Sequence, residues 1–549
     1  MIIHQTFHSL SETKQYLANE HGIHYKNIFK SKYNIYIMNR YILLSTTLLA
    51  WGGTQSGIIA KGNRPNIILF MVDDMGWQDT SLPFWDKPTP LNHRYHTPNM
   101  ERLASKGAKF TSAYACSISS PTRCSLLTGT NEARHRVTNW TFGYNSSNDA
   151  ENPDLEMPQW NVNGIQPADG VERSFAATSF VQILKQNGYQ TIHCGKAHFG
   201  SQGTPGANPL NFGFEVNITG SAAGGLASYL GKERFGHDNN GKPTSRFAIE
   251  GLEEYWDKDI FVTEALTREA IKALKKARTK DSPFFLYMAH YAVHIPIQAD
   301  KRFLKRYQEM GLSATEAAYA TMVEGMDKSL GDLMDYLESS GQMDNTIIIF
   351  MSDNGGLAAS NRTPPLGVQN APLRSGKGSA YEGGIREPMI VYWKGVAKPG
   401  STIDKYLMIE DFFPSILEMA QVKRYKTIQP IDGKSFVPLI TGKGDPSKNR
   451  ALFWNTPNTW YPGDLSNQGI GQTCAIRKGD YKLVYWYKNG KKELFNIKDD
   501  ISETTDISAR HPSLVAKMSK ELGRFLRKVG GQRPSFKATG KECPWPDDL

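Results

Sequence analysis

Residues Ser117–Gly129 read SISSPTRCSLLTG. Ser119 and Ser120 stand directly ahead of Pro121 and Arg123, and the apolar run behind them closes on Gly129. One reading is structural: a serine N-cap, proline at the first helical position and glycine as the stop. The other is chemical. A serine at a positively polarised helix start, with Arg123 one turn in, would be a reacting atom in a site that favours an anion.

Two further stretches carry ligand chemistry. FMVDD ends in Asp73-Asp74 and FMSDN ends in Asp353-Asn354. In an open parallel sheet, sites form outside the carboxyl ends of the strands. If these two strands are neighbours, three carboxylates and one amide oxygen converge, and like charges that close call for a cation. The donors are all hard oxygens, so Ca²⁺ or Mg²⁺ is expected ahead of zinc. Four cationic or proton-carrying side chains occupy similar places: Lys196 and His198 in HCGKAHFG, His294 in HYAVHIP, and Lys377 in the Gly-rich LRSGKGSAYEGG. Together they would surround a tetrahedral dianion or a sulfate monoester, with the histidines handling protons.

The elements that must position these residues are legible as alternating strands and helices. NIILFMVDD, PFFLYMAHYAVH and NTIIIFMSDNGG are near-continuous apolar runs, the pattern of parallel strands covered on both faces. SFVQILKQNGYQTIHCGK reads as a helix, a stop at Gly188 and a strand. Tyr319, Met322, Val323, Met326, Leu330, Leu333, Met334 and Leu337 recur at helical spacing and predict a long buried helix. The fold class expected is α/β, a large and mostly parallel sheet sandwiched by helices. KGDPSKNR (443–450) reads as a linker. Beyond it, alternating segments with an Asn489-Gly490 turn and a last amphipathic helix predict a smaller antiparallel sheet with one helix. The boundaries expected are 62–445 for the large domain and 446–549 for the small one.

The chain has 549 residues, 39% of them hydrophobic, and a formal charge of +10 that is scattered along it. That length suits two or three packed units. No basic arm or nucleic-acid motif occurs, so no nucleic-acid partner is expected. The five cysteines form no C-x-x-C pair and leave room for one bridge at most as a detail of the fold. From Met38, a short basic start, an apolar run over Tyr41–Trp51 and small residues up to Ala60 make a three-part leader. The expected organisation is an upstream extension or misassigned start over 1–37 and a signal peptide over 38–60. The mature chain is expected in the periplasm or secreted, without stable membrane insertion.

With these motifs in place, the chain resembles a type I sulfatase of the alkaline phosphatase superfamily, of the bacterial arylsulfatase A-like, carbohydrate-directed kind. The family signature, C/S-x-P-x-R followed by T-G, is met by Ser119-Ser120-Pro121-Thr122-Arg123 and the following CSLLTG. Cys116 does not fit the slot, because Ile118 stands where the proline should be. Five motifs occur in the family's order, and ELFNIKDDISETTDIS matches its small C-terminal domain. The resemblance implies that Ser119 is oxidised to formylglycine (3-oxoalanine) by an anaerobic radical-type maturase. It implies Ca²⁺ held by Asp73, Asp74, Asp353, Asn354 and the modified Ser119, with Arg123 steadying the hydrated aldehyde. Lys196 and Lys377 would bind sulfate oxygens. His294, also at the substrate, would protonate the departing alcohol, and His198 would take the proton when sulfate is expelled. The implied substrate is a sulfated carbohydrate, a galactose- or hexosamine-type residue of a host or algal glycan attacked from its end. Trp77, the Asn92–Asn99 loop, Trp140 and the Asn361–Asn370 loop are the expected sugar-pocket residues. Two other readings stand beside this one: a phosphatase or phosphodiesterase of the same superfamily, whose sites usually hold two metals with histidine ligands, and a sulfated-glycan binding protein whose serine is never matured.

Overall fold

The computed structural model describes residues 64–549; the expected leader and upstream extension lie outside the described residues. The larger layer is built from β1 (Asn66–Val72), α1 (Pro98–Lys106), β2 (Ala108–Tyr114), α2 (Ser119–Thr128), α3 (Phe180–Gln186), β3 (Gln190–Gly195), β4 (Val216–Ile218), α4 (Val262–Arg278), β5 (Phe284–Ala289), α5 (Ala314–Ser339), β6 (Thr346–Ser352), β7 (Arg386–Tyr392), β8 (Ser401–Ile403) and α6 (Phe412–Met419). Its strands lie in the order β8-β2-β7-β6-β1-β5-β3-β4. Every named neighbour pair is parallel except those of β7, which runs antiparallel to both β6 and β2.

The apolar runs follow from two-sided burial. Every residue of β1, β5 and β6 is buried. In β1, Ile67, Leu69 and Met71 face a core shared with α2, α3 and α6. Ile68, Phe70 and Val72 face a second core, shared with α1, α4 and α5. The strand period of two thus feeds two hydrophobic layers. The predicted long helix is α5, whose Tyr319-to-Leu337 stripe lies in the second core.

The second sheet pairs β9 (Ala451–Thr456), β10 (Thr473–Lys478), β11 (Tyr481–Trp486) and β12 (Lys492–Asn496), all antiparallel. Asn489-Gly490 is the turn between β11 and β12, with Gly490 in the left-handed region at φ 69°. Ile476, Leu483 and Tyr485 pack under α7 (Pro512–Val529), while Trp454, Ala475, Val484 and Phe495 join the first core of the large sheet. Residues 64–549 are therefore one compact unit. All five cysteines are buried and free, so the bridge that the count allowed is not formed. Among the described residues no helix is long and apolar enough to cross a membrane.

Candidate active site

The sheet register brings the chemistry to one edge. Val72 and Ser352 are partners across β1 and β6, so the acidic turns Asp73-Asp74 and Asp353-Asn354 leave the sheet side by side. Gly195 and Ala289 are partners across β3 and β5, which puts Lys196 and the segment up to His294 on the same edge. The polypeptide after β5 is pinned there by His290 N–H to Met71 O (2.9 Å) and Val293 N–H to Asp73 O (2.6 Å).

Helix α2 delivers the serine, though not as a cap. Ile118, with φ −147° and ψ 162°, is the N-cap, and Ser119 is the first helical residue, so the expected cap by Ser119 or Ser120 and the expected first position for Pro121 are both displaced. Gly129 does end the helix, at φ 67°. The displacement has a cause. The Ser119 hydroxyl is engaged by tertiary partners: Lys196 Nζ at 3.0 Å, and Asp73 Oδ1 and Asn354 Oδ1 both at 3.2 Å. Its single proton serves one of the two oxygens at a time.

Around that hydroxyl, three carboxylates alternate with three cations. Lys196 Nζ lies 2.6 Å from Asp73 Oδ2, and Lys377 Nζ lies 2.6 Å from Asp74 Oδ1. Arg123 grips Asp353 Oδ2 through Nε (3.0 Å) and Nη2 (2.8 Å). Its Nη1 donates to Lys196 O (3.0 Å) and Tyr287 Oη (3.3 Å). Asn354 Nδ2 donates to Asp74 Oδ1 (2.8 Å), and Asp353 Oδ1 accepts from the Asp74 N–H (3.2 Å). Burial and the neighbouring Asp353 carboxylate push Asp73 well up. Burial works against the charges of Asp74 and Asp353 as well, but Lys377 outweighs it at Asp74, and Arg123 with Lys196 outweighs it at Asp353, so both stay low. Asp73 is the carboxylate whose charge this cluster leaves least compensated.

Both histidines have fixed roles for their nitrogens. His198 Nε2 lies 2.9 Å from the Thr141 carbonyl, which only accepts, so Nε2 carries the proton and Nδ1, buried and without a partner among the described residues, is the lone-pair atom. His294 Nδ1 donates to Ile295 O (2.9 Å), and its Nε2 faces Asp74 Oδ2 at 3.8 Å. Burial, with help from Lys377, pushes His294 down to about 3, so its imidazole is neutral in the free protein.

The cluster floors a cavity of about 730 Å³ lined by Asp74, Ser119, Lys196, His198, His294 and Lys377 below and by Trp140, Phe247, Trp460 and Tyr461 above. Of the expected sugar-pocket residues, Trp140 and Asn361 line it. Trp77 does not: it is 1% exposed, belongs to the second core and lies under the Arg386 guanidinium at 4.6 Å. Nor does the Asn92–Asn99 loop, which folds onto α5 through His96–Glu324 (3.0 Å) and Asn99–Asp327 (2.9 Å). Tyr287, Thr141, Trp460 and Tyr461 were not singled out in the sequence. The only hint of the last two was an aromatic pair in the polar stretch NTWYPG.

The sulfatase family model matches residues 65–422, which hold every one of these charged groups. The chain belongs to the sulfatase family. A second model, the C-terminal part of N-sulphoglucosamine sulphohydrolase, matches residues 376–528. A sulfatase of Formosa agariphila is 29% identical over 92% of this chain and 96% of its own length. The N-acetylgalactosamine-6-sulfatase of Mus musculus is 29% identical over 82% of this chain and 78% of its own. Among solved structures, Ps i-CgsB in complex with k-i-k-neocarrahexaose superposes with a TM-score of 0.66 at 27% identity, covering 84% of this chain and 93% of that one. The enzyme is accordingly a sulfuric ester hydrolase. Its acidic edge also fits a divalent cation. Ligand atoms of Asp73, Asp74 and His294 lie within 4.8 Å of one another, and the Asn354 amide oxygen shares the Ser119 hydroxyl with Asp73. Asp353 gives Oδ2 to Arg123 and keeps Oδ1 at the Asp74 N–H (3.2 Å), on the same edge, while His294 borders the group through Nε2. Buried, mutually repelling hard oxygens are what a hard cation relieves.

Proposed function

We propose that this enzyme hydrolyses the sulfate ester of a carbohydrate, a galactose- or hexosamine-type residue of a host or algal glycan, outside the cytoplasm. The observation that carries the reading is the Ser119 hydroxyl, set within 3.2 Å of Asp73 and Asn354 and 3.0 Å of Lys196 on the floor of an aromatic-walled cavity. The neocarrahexaose bound by the structural neighbour and the N-acetylgalactosamine-6-sulfatase among the relatives support the carbohydrate class.

Formylglycine made from Ser119 by a radical-type maturase would supply, as its hydrate, a hydroxyl nucleophile with a second hydroxyl for expelling sulfate, and Ca²⁺ held by Asp73, Asp74, Asp353 and Asn354 would acidify that nucleophile. The chain's own residues do the rest. Lys196 and Lys377 hold the sulfuryl oxygens, each cation contributing on the order of a few kcal/mol as charge builds up. Arg123 keeps Asp353 and the Lys196 backbone in place. His198, with Nε2–H tied to Thr141, offers Nδ1 as the base. When the bound anion offsets the field of the two lysines, His294 takes up a second proton from solvent at Nε2, Nδ1–H staying on Ile295 O, and passes that proton to the departing alcohol oxygen.

Ser119→Ala in the otherwise native enzyme should abolish turnover on an aryl sulfate with the circular dichroism spectrum unchanged, and mass spectrometry should find the native Ser119 peptide lighter by one H₂. Continued multiple turnover by the variant overturns the nucleophile. Faster release of phosphate than of sulfate from matched aryl esters would favour the phosphatase reading.

A further inference from the structure

A second cavity, about 340 Å³, opens beside the first and is lined by Glu151, Gln472, Trp486, Lys488 and Asn489 among others. The two share a wall. Trp460 and Tyr461 line both cavities, and the chain passes from the first at Ala150 to the second at Glu151. The wall is firmly built. Ala150 N–H donates to Thr459 O (2.9 Å), and the Thr459 hydroxyl accepts from Gln472 Nε2 (2.7 Å) and Asn152 Nδ2 (3.3 Å). Trp460 lies so close over the Gly378 backbone that a Cβ there would meet the ring at 2.3 Å, and the ring centre is 5.9 Å from Lys377 Nζ. The wall therefore abuts the loop that carries a sulfate-binding lysine on one side and faces a polar-rimmed hollow on the other.

The lining suits one ligand class. Aromatic rings pack against the C–H face of a pyranose, while Glu151 and Asn489, both exposed, present a carboxylate and an amide to hydroxyls, and Lys488, paired with Asp154 at 2.6 Å, completes the polar rim. The volume falls at the small end of ligand sites, room for one sugar unit beside the cavity that receives the reacting one. We propose that the second cavity binds the sugar next to the unit losing its sulfate, with the glycan crossing the Trp460–Tyr461 wall, so that the preferred substrate is an oligosaccharide. This rests on the carbohydrate reading above.

The test uses the matured enzyme and matched pairs: galactose 4- and 6-sulfate and N-acetylgalactosamine 4- and 6-sulfate, each against a trisaccharide that carries the same sulfated unit at its non-reducing end. The ratio of kcat/KM, trisaccharide over monosaccharide, should be about tenfold or more for the best pair. Glu151→Trp, which fills the second cavity from an exposed position, should bring the ratio towards one, and Lys488→Ala should lower it. A ratio near one in the native enzyme, or a ratio that neither variant moves, overturns the proposal while the carbohydrate reading stands. No sulfate release from any pair overturns both.

Discussion

At the scale of single residues, Arg123 shows how closely catalysis and stability are tied here. Its guanidinium is wholly buried, makes two bonds to Asp353 and one to the Lys196 carbonyl, and is held in its charged form. Arg123→Met keeps the apolar stem but leaves Asp353 with the Asp74 N–H at 3.2 Å and, as its one remaining ion-pair partner among the described residues, Lys196 Nζ, 4.0 Å away. Removing one partner of a buried pair costs about 3–5 kcal/mol, because the remaining charge keeps its desolvation penalty. Urea denaturation should show a loss of that size together with lost turnover, and a loss under about 1 kcal/mol would mean that Asp353 finds another partner. The same residue illustrates what sequence can and cannot tell. Arg123 was legible as a site residue from its signature, but its partner was not, since no local pattern says that a guanidinium in α2 will meet a carboxylate at the end of β6.

At the scale of elements, the site depends on strands ending level with one another. Gly195 closes β3 at φ 104°, and a Cβ there would fall 1.9 Å from Ala289 O, the atom that also accepts from Lys196 N–H (2.7 Å). Gly195→Ala must push β3 away from β5 and carry Lys196 with it. Its cost should exceed the roughly 1–3 kcal/mol of a strained backbone alone. Gly188→Ala is the control: φ is 82°, but nothing lies within 4 Å, so the strain stands without the clash. Thermal unfolding should separate the two variants by several degrees, and equal midpoints would show that the β3–β5 edge yields without cost. These strand ends were readable in the sequence because fully buried parallel strands have to be apolar throughout, which makes the first charged residue conspicuous. The helix start was misread for the opposite reason. Serine leads the N-cap preferences, but Asp73, Asn354 and Lys196, from three distant strands, claim the hydroxyl. Trp77 was misread because an aromatic residue in a loop carries no mark of its depth, and the Arg386 that covers it comes from β7.

At the scale of the whole molecule, the small sheet is a support for the reaction edge. The segment after β12 inserts Glu503 beneath the loop that carries Lys377: Glu503 Oε2 accepts the Glu382 N–H (2.7 Å), and its backbone carbonyl accepts from Arg374 (3.0 Å). Lys482 of β11 lies 3.0 Å from Glu382 and 2.9 Å from Glu503, with Arg386 3.1 Å from Glu382. Two buried carboxylates thus share one lysine. Burial resists the Glu382 charge, but Lys482, Arg386 and Arg477 hold it at about 2. Burial, with Glu382 adding to it, pushes Glu503 up to about 7, against 4.5 for a free glutamate. The sign follows from proton linkage. The folded protein holds the Glu503 proton more tightly than the unfolded chain, so this group's stabilisation is complete below about 4.5 and is lost as pH rises towards 7. Glu503→Gln removes the titration but keeps an oxygen for the Glu382 N–H. Between pH 4.5 and 7 the native enzyme should therefore lose up to about 3 kcal/mol relative to Glu503→Gln in urea denaturation, and parallel curves would show that Glu503 is ionised throughout. Activity completes the argument. Glu503→Leu removes the acceptor that anchors the loop and should lower sulfate release about tenfold, an order-of-magnitude expectation for a displaced sulfate-binding lysine, whereas Glu503→Gln should restore it. Equal activity in the two variants would mean that Lys377 holds its position without the small sheet.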